Sequence, residues 1–133
     1  ENYNDSLEQV FTPESTKRIS EILDSVASDN GSGYRAVIDG YSIAGKTGTA
    51  EMVIDGKYSK DGAKRTYFVG YSPADKPKYI MAVRLDHPKK CFVSWDPTLR
   101  NRCEGSNSAS MAFQKAMQRI LINDSEINSQ VEG

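Results

Sequence analysis

Ala44-Gly45-Lys46-Thr47-Gly48-Thr49-Ala50, entered through Tyr41-Ser42-Ile43 and left through Glu51-Met52-Val53-Ile54, is the stretch on which the reading of this chain turns. It sets one lysine, two threonine hydroxyls and two glycines in an otherwise apolar, β-branched run. Its β-branched residues favour a pleated strand, and the turn pair Asp55-Gly56 stops it. The run predicts a strand over residues 41–54. A cation beside hydroxyls and bare backbone suits a strand that binds an anionic group along its edge. Strict alternation puts Lys46 and Gly48 on one face and Thr47 and Thr49 on the other, and leaves open which hydroxyl meets a ligand.

Downstream, Thr66 to Tyr71 reads as a second strand ended by Ser72-Pro73, and Lys78 to Leu85 as a third ended before Pro88. Short links between consecutive strands favour an antiparallel meander. Gly56 to Arg65 reads as a lysine-rich, solvated loop. Upstream, Thr12-Pro13-Glu14 marks a helix start, and Ile19, Ile22, Leu23 and Val26 form its apolar stripe. Asn30-Gly31-Ser32-Gly33 ends that helix in a flexible loop, and Ala36-Val37-Ile38 reads as a short extended piece. Ser106 to Ile122 predicts a final helix with Phe113, Met117, Ile120 and Leu121 on one face and small residues crowding its start. Residues 1–11 read as a loose lead-in, and the polar tail after Asn123 as frayed. The order predicts an α+β fold, a three-stranded antiparallel sheet flanked by helices.

At 133 residues the chain is one small domain with a modest core. Lysine and arginine number 17 against 18 aspartate and glutamate, a balance that argues against nucleic acid as a partner. The longest clean apolar run, Tyr79 to Val83, is too short to span a bilayer. The sequence shows no initiator methionine and no signal-like segment, so the expectation is a mature form or a piece of something longer. Cys91 and Cys103 flank a loop-rich segment, and a disulfide between them is expected, implying an oxidising compartment and contributing about 3 kcal/mol. With His87 the sole histidine and no paired cysteine spacing, neither a metal nor a cofactor is expected.

Gly40-Tyr41-Ser42-Ile43-Ala44-Gly45-Lys46-Thr47 satisfies G-x-x-x-x-G-K-[ST], the pattern of a nucleotide phosphate loop. That loop requires a helix directly after the lysine, whose N-terminal amides hold the anion. The residues that follow Lys46 are poor helix material and reach a turn at Asp55-Gly56, so the nucleotide reading ranks low.

Lys46-Thr47-Gly48 also matches the K-T-G element of the active-serine penicillin-recognising enzymes. The match extends well beyond three letters. Gly40 to Glu51 resembles the lysine strand of class B penicillin-binding proteins, and Phe68-Val69-Gly70-Tyr71-Ser72-Pro73-Ala74 the next strand and its turn. Ile80 to Asp86 followed by Pro88 is similar to the strand after that, and Gly105 to Leu121 to the final helix. The resemblance implies the C-terminal part of a penicillin-binding transpeptidase fold, over residues 1–133. It implies acyl transfer on peptidoglycan stem peptides: a serine attacks a D-Ala-D-Ala terminus, and β-lactams trap the same acyl-enzyme. By resemblance, Lys46, Thr47, Gly48 and Thr49 bind the substrate, with Lys46 and Thr49 catalytic and the Thr49 N–H a donor to the oxyanion. Of the two hydroxyls the family pattern favours Thr49. The implied partners are stem peptides, β-lactams, the preceding part of the same domain, and division or elongation proteins. The implied location is the extracytoplasmic face of the bacterial inner membrane, with the anchor outside this chain.

The serine itself is not in this sequence, because no serine is followed three residues later by lysine. Ser28-Asp29-Asn30 copies the S-D-N letters only 18 positions before Lys46, and reads as a helix end running into a turn. The chain alone is therefore expected to be inactive. A serine β-lactamase or D,D-carboxypeptidase of the same superfamily, and a non-catalytic penicillin-recognising sensor, remain alternatives. His87 reads as a surface residue, Trp95 as packing for its loop, and Met81 and Met117 as core filler.

Overall fold

The computed structural model describes residues 9–59, 63–89 and 103–131. Thr12 caps helix α1, Pro13–Val26, by accepting the Ser15 N–H at 3.2 Å, with Pro13 at its first position. The start predicted from Thr12-Pro13-Glu14 holds. The apolar stripe is a different matter: α1 buries no residue, and Ile19 and Ile22 stay 55% and 56% exposed.

Three strands form the main sheet: β1, Ala44–Glu51; β4, Lys64–Ser72; and β5, Tyr79–Asp86. Their order is β1-β4-β5, antiparallel throughout, as the short links predicted. β1 is shorter than the expected strand over residues 41–54. The chain leaves the sheet at Met52 and folds into a small hairpin, β2, Val53–Ile54, against β3, Lys57–Tyr58. Its turn residues Asp55 and Gly56 take φ of 51° and 74°, the paired left-handed geometry that matches the twist of the flanking strands. The lysine-rich stretch is thus largely structured: Lys57 lies in this hairpin, while Lys64 and Arg65 open β4 and reach Glu104 at 3.6 Å and Asp86 at 2.9 Å. Lys60 lies outside the described residues.

The expected extended piece at Ala36–Ile38 is also revised. Tyr34–Ala36 forms a turn of 3-10 helix, and Ile38 makes an isolated antiparallel bridge to Tyr41. The final helix likewise begins later than Ser106, with a 3-10 turn at Gly105–Asn107 before α2, Ala109–Leu121. The tail is ordered rather than frayed: α3, Ser125–Val131, buries Ile127. Asp124 Oδ1 accepts the Glu126 and Ile127 N–H groups, and Tyr41 OH donates to Asn128 Oδ1 at 2.5 Å.

The core lies between the sheet and α2. Phe68 of β4 and Phe113 of α2 are fully buried, with ring centroids 4.6 Å apart. Burying each such ring contributes about 1.5–3 kcal/mol. Gly45 and Gly70 face each other across β1 and β4, and a Cβ on either would come within 2.8 Å of the Phe68 ring. Ser108 Oγ bonds the buried Thr66 hydroxyl at 2.9 Å, fixing the start of α2 on β4. Met117 belongs to the core and Met81 packs against it.

The opposite face of the sheet is open. There Lys46, Val69 and Ala82 form one cross-strand row, and Val69 and Ile80 are 44% and 77% exposed. Tyr71 OH meets Ser20 Oγ of α1 at 3.0 Å at one end of this face. Among the described residues the outer edge of β5 has no strand partner. Cys103 is buried and disulfide-bonded, while Cys91, the partner the sequence predicted, lies outside the described residues together with Trp95.

Candidate active site

β1 is an outer strand, so one of its edges is open among the described residues. Thr47 and Phe68 are direct cross-strand partners, and Gly45 abuts the Phe68 ring. Gly45, Thr47 and Thr49 therefore share the face that carries α2, while Lys46 and Gly48 share the other, as the alternation required. The exposed Lys46 side chain curls around the strand, and its Nζ donates to Thr47 O at 3.0 Å and to Thr47 Oγ1 at 3.5 Å. An ammonium occupies the position a neighbouring strand would take, which places the Thr47 carbonyl on the free edge. A residue's N–H and C=O share one edge of an antiparallel strand and repeat every second residue. The Thr49 N–H is therefore aimed out of the sheet along the same edge.

Two residues that the sequence reading passed over reach this strand. Ser32 Oγ lies 3.3 Å from Thr47 Oγ1, and the Gly105 N–H donates to Thr49 Oγ1 at 3.0 Å. Gly105 also sits flat on the strand: a Cβ there would lie 2.6 Å from Gly48 O and 2.7 Å from Tyr67 O. The sequence did carry a signal for Ser32, its position between two glycines, but the partner is 15 residues away. The four residues singled out from sequence, Lys46, Thr47, Gly48 and Thr49, are consecutive on one open edge. Lys46 Nζ, Thr47 Oγ1 and Ser32 Oγ form one cluster; Thr49 Oγ1 stands apart, engaged by Gly105.

The strand geometry also disposes of the phosphate loop. Thr47 to Glu51 continue β1, so no helix opens directly after Lys46. Ser28-Asp29-Asn30 falls after the end of α1 in the turn that leads to Gly33, as expected. A groove of about 750 Å³ between the start of α1 and the turn at Ala74–Pro77 is lined by Phe11, Lys17 and Pro77 among others, and carries none of the lysine-strand residues.

The profile of the penicillin binding protein transpeptidase domain matches residues 3–118. The chain belongs to the penicillin-binding protein transpeptidase family. It is 34% identical over 114 residues to the peptidoglycan D,D-transpeptidase FtsI of Buchnera aphidicola, covering 85% of this chain and 18% of that protein. It is 42% identical over 81 residues to the stage V sporulation protein D of Bacillus subtilis, covering 61% of this chain and 12% of that protein. The transpeptidase domain of Burkholderia pseudomallei penicillin-binding protein 3 superimposes with a TM-score of 0.67 at 27% identity, over 86% of this chain and 31% of that one. The chain thus spans less than a fifth of the length of these two relatives. In this penicillin-binding protein transpeptidase chain, the α+β fold read from sequence is the fold observed.

Proposed function

We propose that this chain forms the C-terminal part of a peptidoglycan D,D-transpeptidase domain and supplies the substrate-binding edge of its active site. The observation that carries the reading is the free edge of β1, where the Lys46 ammonium and the Thr47 hydroxyl cluster within hydrogen-bonding reach. A stem peptide ending in D-Ala-D-Ala is an extended chain with a terminal carboxylate. It lies along β1 as an added strand, Gly48 giving its backbone room and Lys46 receiving the carboxylate. The Thr49 N–H is one donor to the oxyanion, and loss of one such donor costs about 2.7–4 kcal/mol of barrier.

The nucleophilic serine lies outside these residues. Its hydroxyl oxygen bonds to the carbonyl carbon of the penultimate D-alanine, the C–N bond breaks, and D-alanine leaves with the proton. An amine of a neighbouring stem peptide then attacks the ester, forming the cross-link and returning a proton to the serine oxygen. The exposed sheet face around Val69 and Ile80, together with the exposed Ile19 and Ile22 of α1, supports a preceding part of the domain packing there. Acting on cell-wall stem peptides, the enzyme works outside the cytoplasmic membrane, in division or elongation of the cell.

The test is mass spectrometry of the complete transpeptidase, and of this chain alone, after incubation with a labelled penicillin. The expected result is one ester adduct on a serine outside these 133 residues and none on the isolated chain. An adduct on a serine of this chain, or a complete protein that takes up no penicillin, overturns the proposal.

A further inference from the structure

We infer that Ser32 is a carboxylate-binding residue of this site, a third donor beside Lys46 and Thr47; the inference rests on the transpeptidase reading above. Its hydroxyl is 3.3 Å from Thr47 Oγ1, which in turn lies 3.5 Å from Lys46 Nζ. A serine serving only its own loop bonds the backbone nearby, as Ser28 does with Ser25 O at 2.7 Å. Ser32 instead reaches across to the strand. Its side chain is exposed, so its position next to Thr47 brings no burial of its own.

The loop that presents it is fixed on both sides. Gly31 and Gly33 pack so tightly against the end of α1 that a Cβ on Gly31 would lie 2.1 Å from Val26 O, and one on Gly33 3.0 Å from Val26 O. The Gly33 side would also press on the Phe68 ring at 3.0 Å. The Gly33 N–H donates to Val26 O at 2.8 Å, and the Gly31 N–H to Ser28 O at 2.9 Å. The loop that carries this hydroxyl therefore packs at Gly33 on Phe68, the core residue paired with Thr47 across the sheet. Lys46 offers only donors, and each hydroxyl offers one. A cluster of one ammonium and two hydroxyls at an open strand edge matches a carboxylate with two oxygens.

The inference is tested in the complete transpeptidase by the second-order rate of acylation with benzylpenicillin and with its methyl ester, which lacks the carboxylate charge. Ser32→Ala is expected to slow acylation by the free acid about 10-fold, as for a lost hydrogen bond to a charged group. It should leave the ester rate within about twofold, and Ser32→Thr should restore the free-acid rate. The melting temperature of Ser32→Ala should match wild type, since the side chain is exposed. Equal slowing with acid and ester, or no slowing with either, overturns the role of Ser32 while wild-type acylation keeps the transpeptidase reading standing. A wild-type protein that takes up neither compound removes both.

Discussion

Gly105 and Thr49, 56 residues apart in the chain, are joined by a 3.0 Å hydrogen bond from the Gly105 N–H to the Thr49 hydroxyl oxygen. With that oxygen accepting from one side, the hydroxyl proton is left to donate elsewhere, and the open edge of β1 is beside it. Gly105 follows the disulfide-bonded Cys103 by two residues and leads directly into the turn before α2. The segment that starts the final helix is in this way tied to the lysine strand, β1.

Gly105→Ala should be poorly tolerated. Its Cβ would have to fit 2.6 Å from Gly48 O and 3.0 Å from Gly48 N, so the segment or the strand must move. The expected cost is about 1–3 kcal/mol of stability. Acylation by penicillin should fall as well, because the displaced backbone is that of Gly48 and Thr49. Thermal denaturation and acylation rate, measured on the same preparation of the complete domain, check both.

Lys46→Ala in the complete transpeptidase should lower the acylation rate by at least about 10-fold, the scale of losing a charged hydrogen-bond donor. Lys46 is exposed, so the melting temperature should hardly change. Lys57→Ala, in the exposed hairpin beyond the strand, is the matched control and should leave the rate unaltered. Equal effects of the two substitutions would show that general positive charge, rather than the position of Lys46, is at work.

Phe113→Ala should destabilise the fold by about 3–5 kcal/mol. The ring is fully buried, 4.6 Å from Phe68, and Phe68 in turn fills the space left by Gly45 and Gly70. Chemical denaturation of the complete domain measures the loss. A change below 1 kcal/mol would mean the site collapses around the cavity.

Asp124 links α3 to β5 and should make that link sensitive to acid. Lys78 Nζ lies 2.8 Å from Asp124 Oδ2, and Tyr79 OH donates to the same oxygen at 2.6 Å. The Lys78 ammonium, then the Tyr79 hydroxyl, hold this carboxyl well below its ordinary value of 3.8. A folded-state value below the unfolded one adds stability that is complete above the unfolded value and is lost as pH falls through the folded one. Asp124→Asn should therefore lower the melting temperature at pH 7, with the gap to wild type narrowing as pH drops below about 4. A gap that stays constant down to pH 2 would assign the effect to lost packing.

Lys46, Thr47, Gly48 and Thr49 were legible because four neighbouring residues needed only a correct strand assignment to share an edge. The meander was legible for the same reason: Ser72-Pro73 and the short links fix antiparallel neighbours locally. Ser32 and Gly105 escaped because their partners lie far along the chain, and no periodicity encodes a contact between a loop and a strand. Gly45, just before Lys46, is accounted for by the Phe68 ring, which leaves no room for a Cβ there. The tail after Asn123 looked frayed because its polar residues were weighed by composition. Asp124 caps α3, and Lys78, Tyr79 and Tyr41 hold it, interactions that depend on strands brought near only by folding. α1 misled in the opposite sense: Ile19 and Ile22 of its apolar stripe stay exposed, while Leu23 and Val26 are half-buried.

The outer side of β5 has a further consequence. From Tyr79 to Asp86 every second residue turns its N–H and C=O outward, with Val69 and Ile80 exposed on the adjoining surface. Such an edge is a template for pairing with any extended polypeptide nearby. On its own the chain should self-associate in solution, and a purified sample that ran as a stable monomer at high concentration would be the surprise.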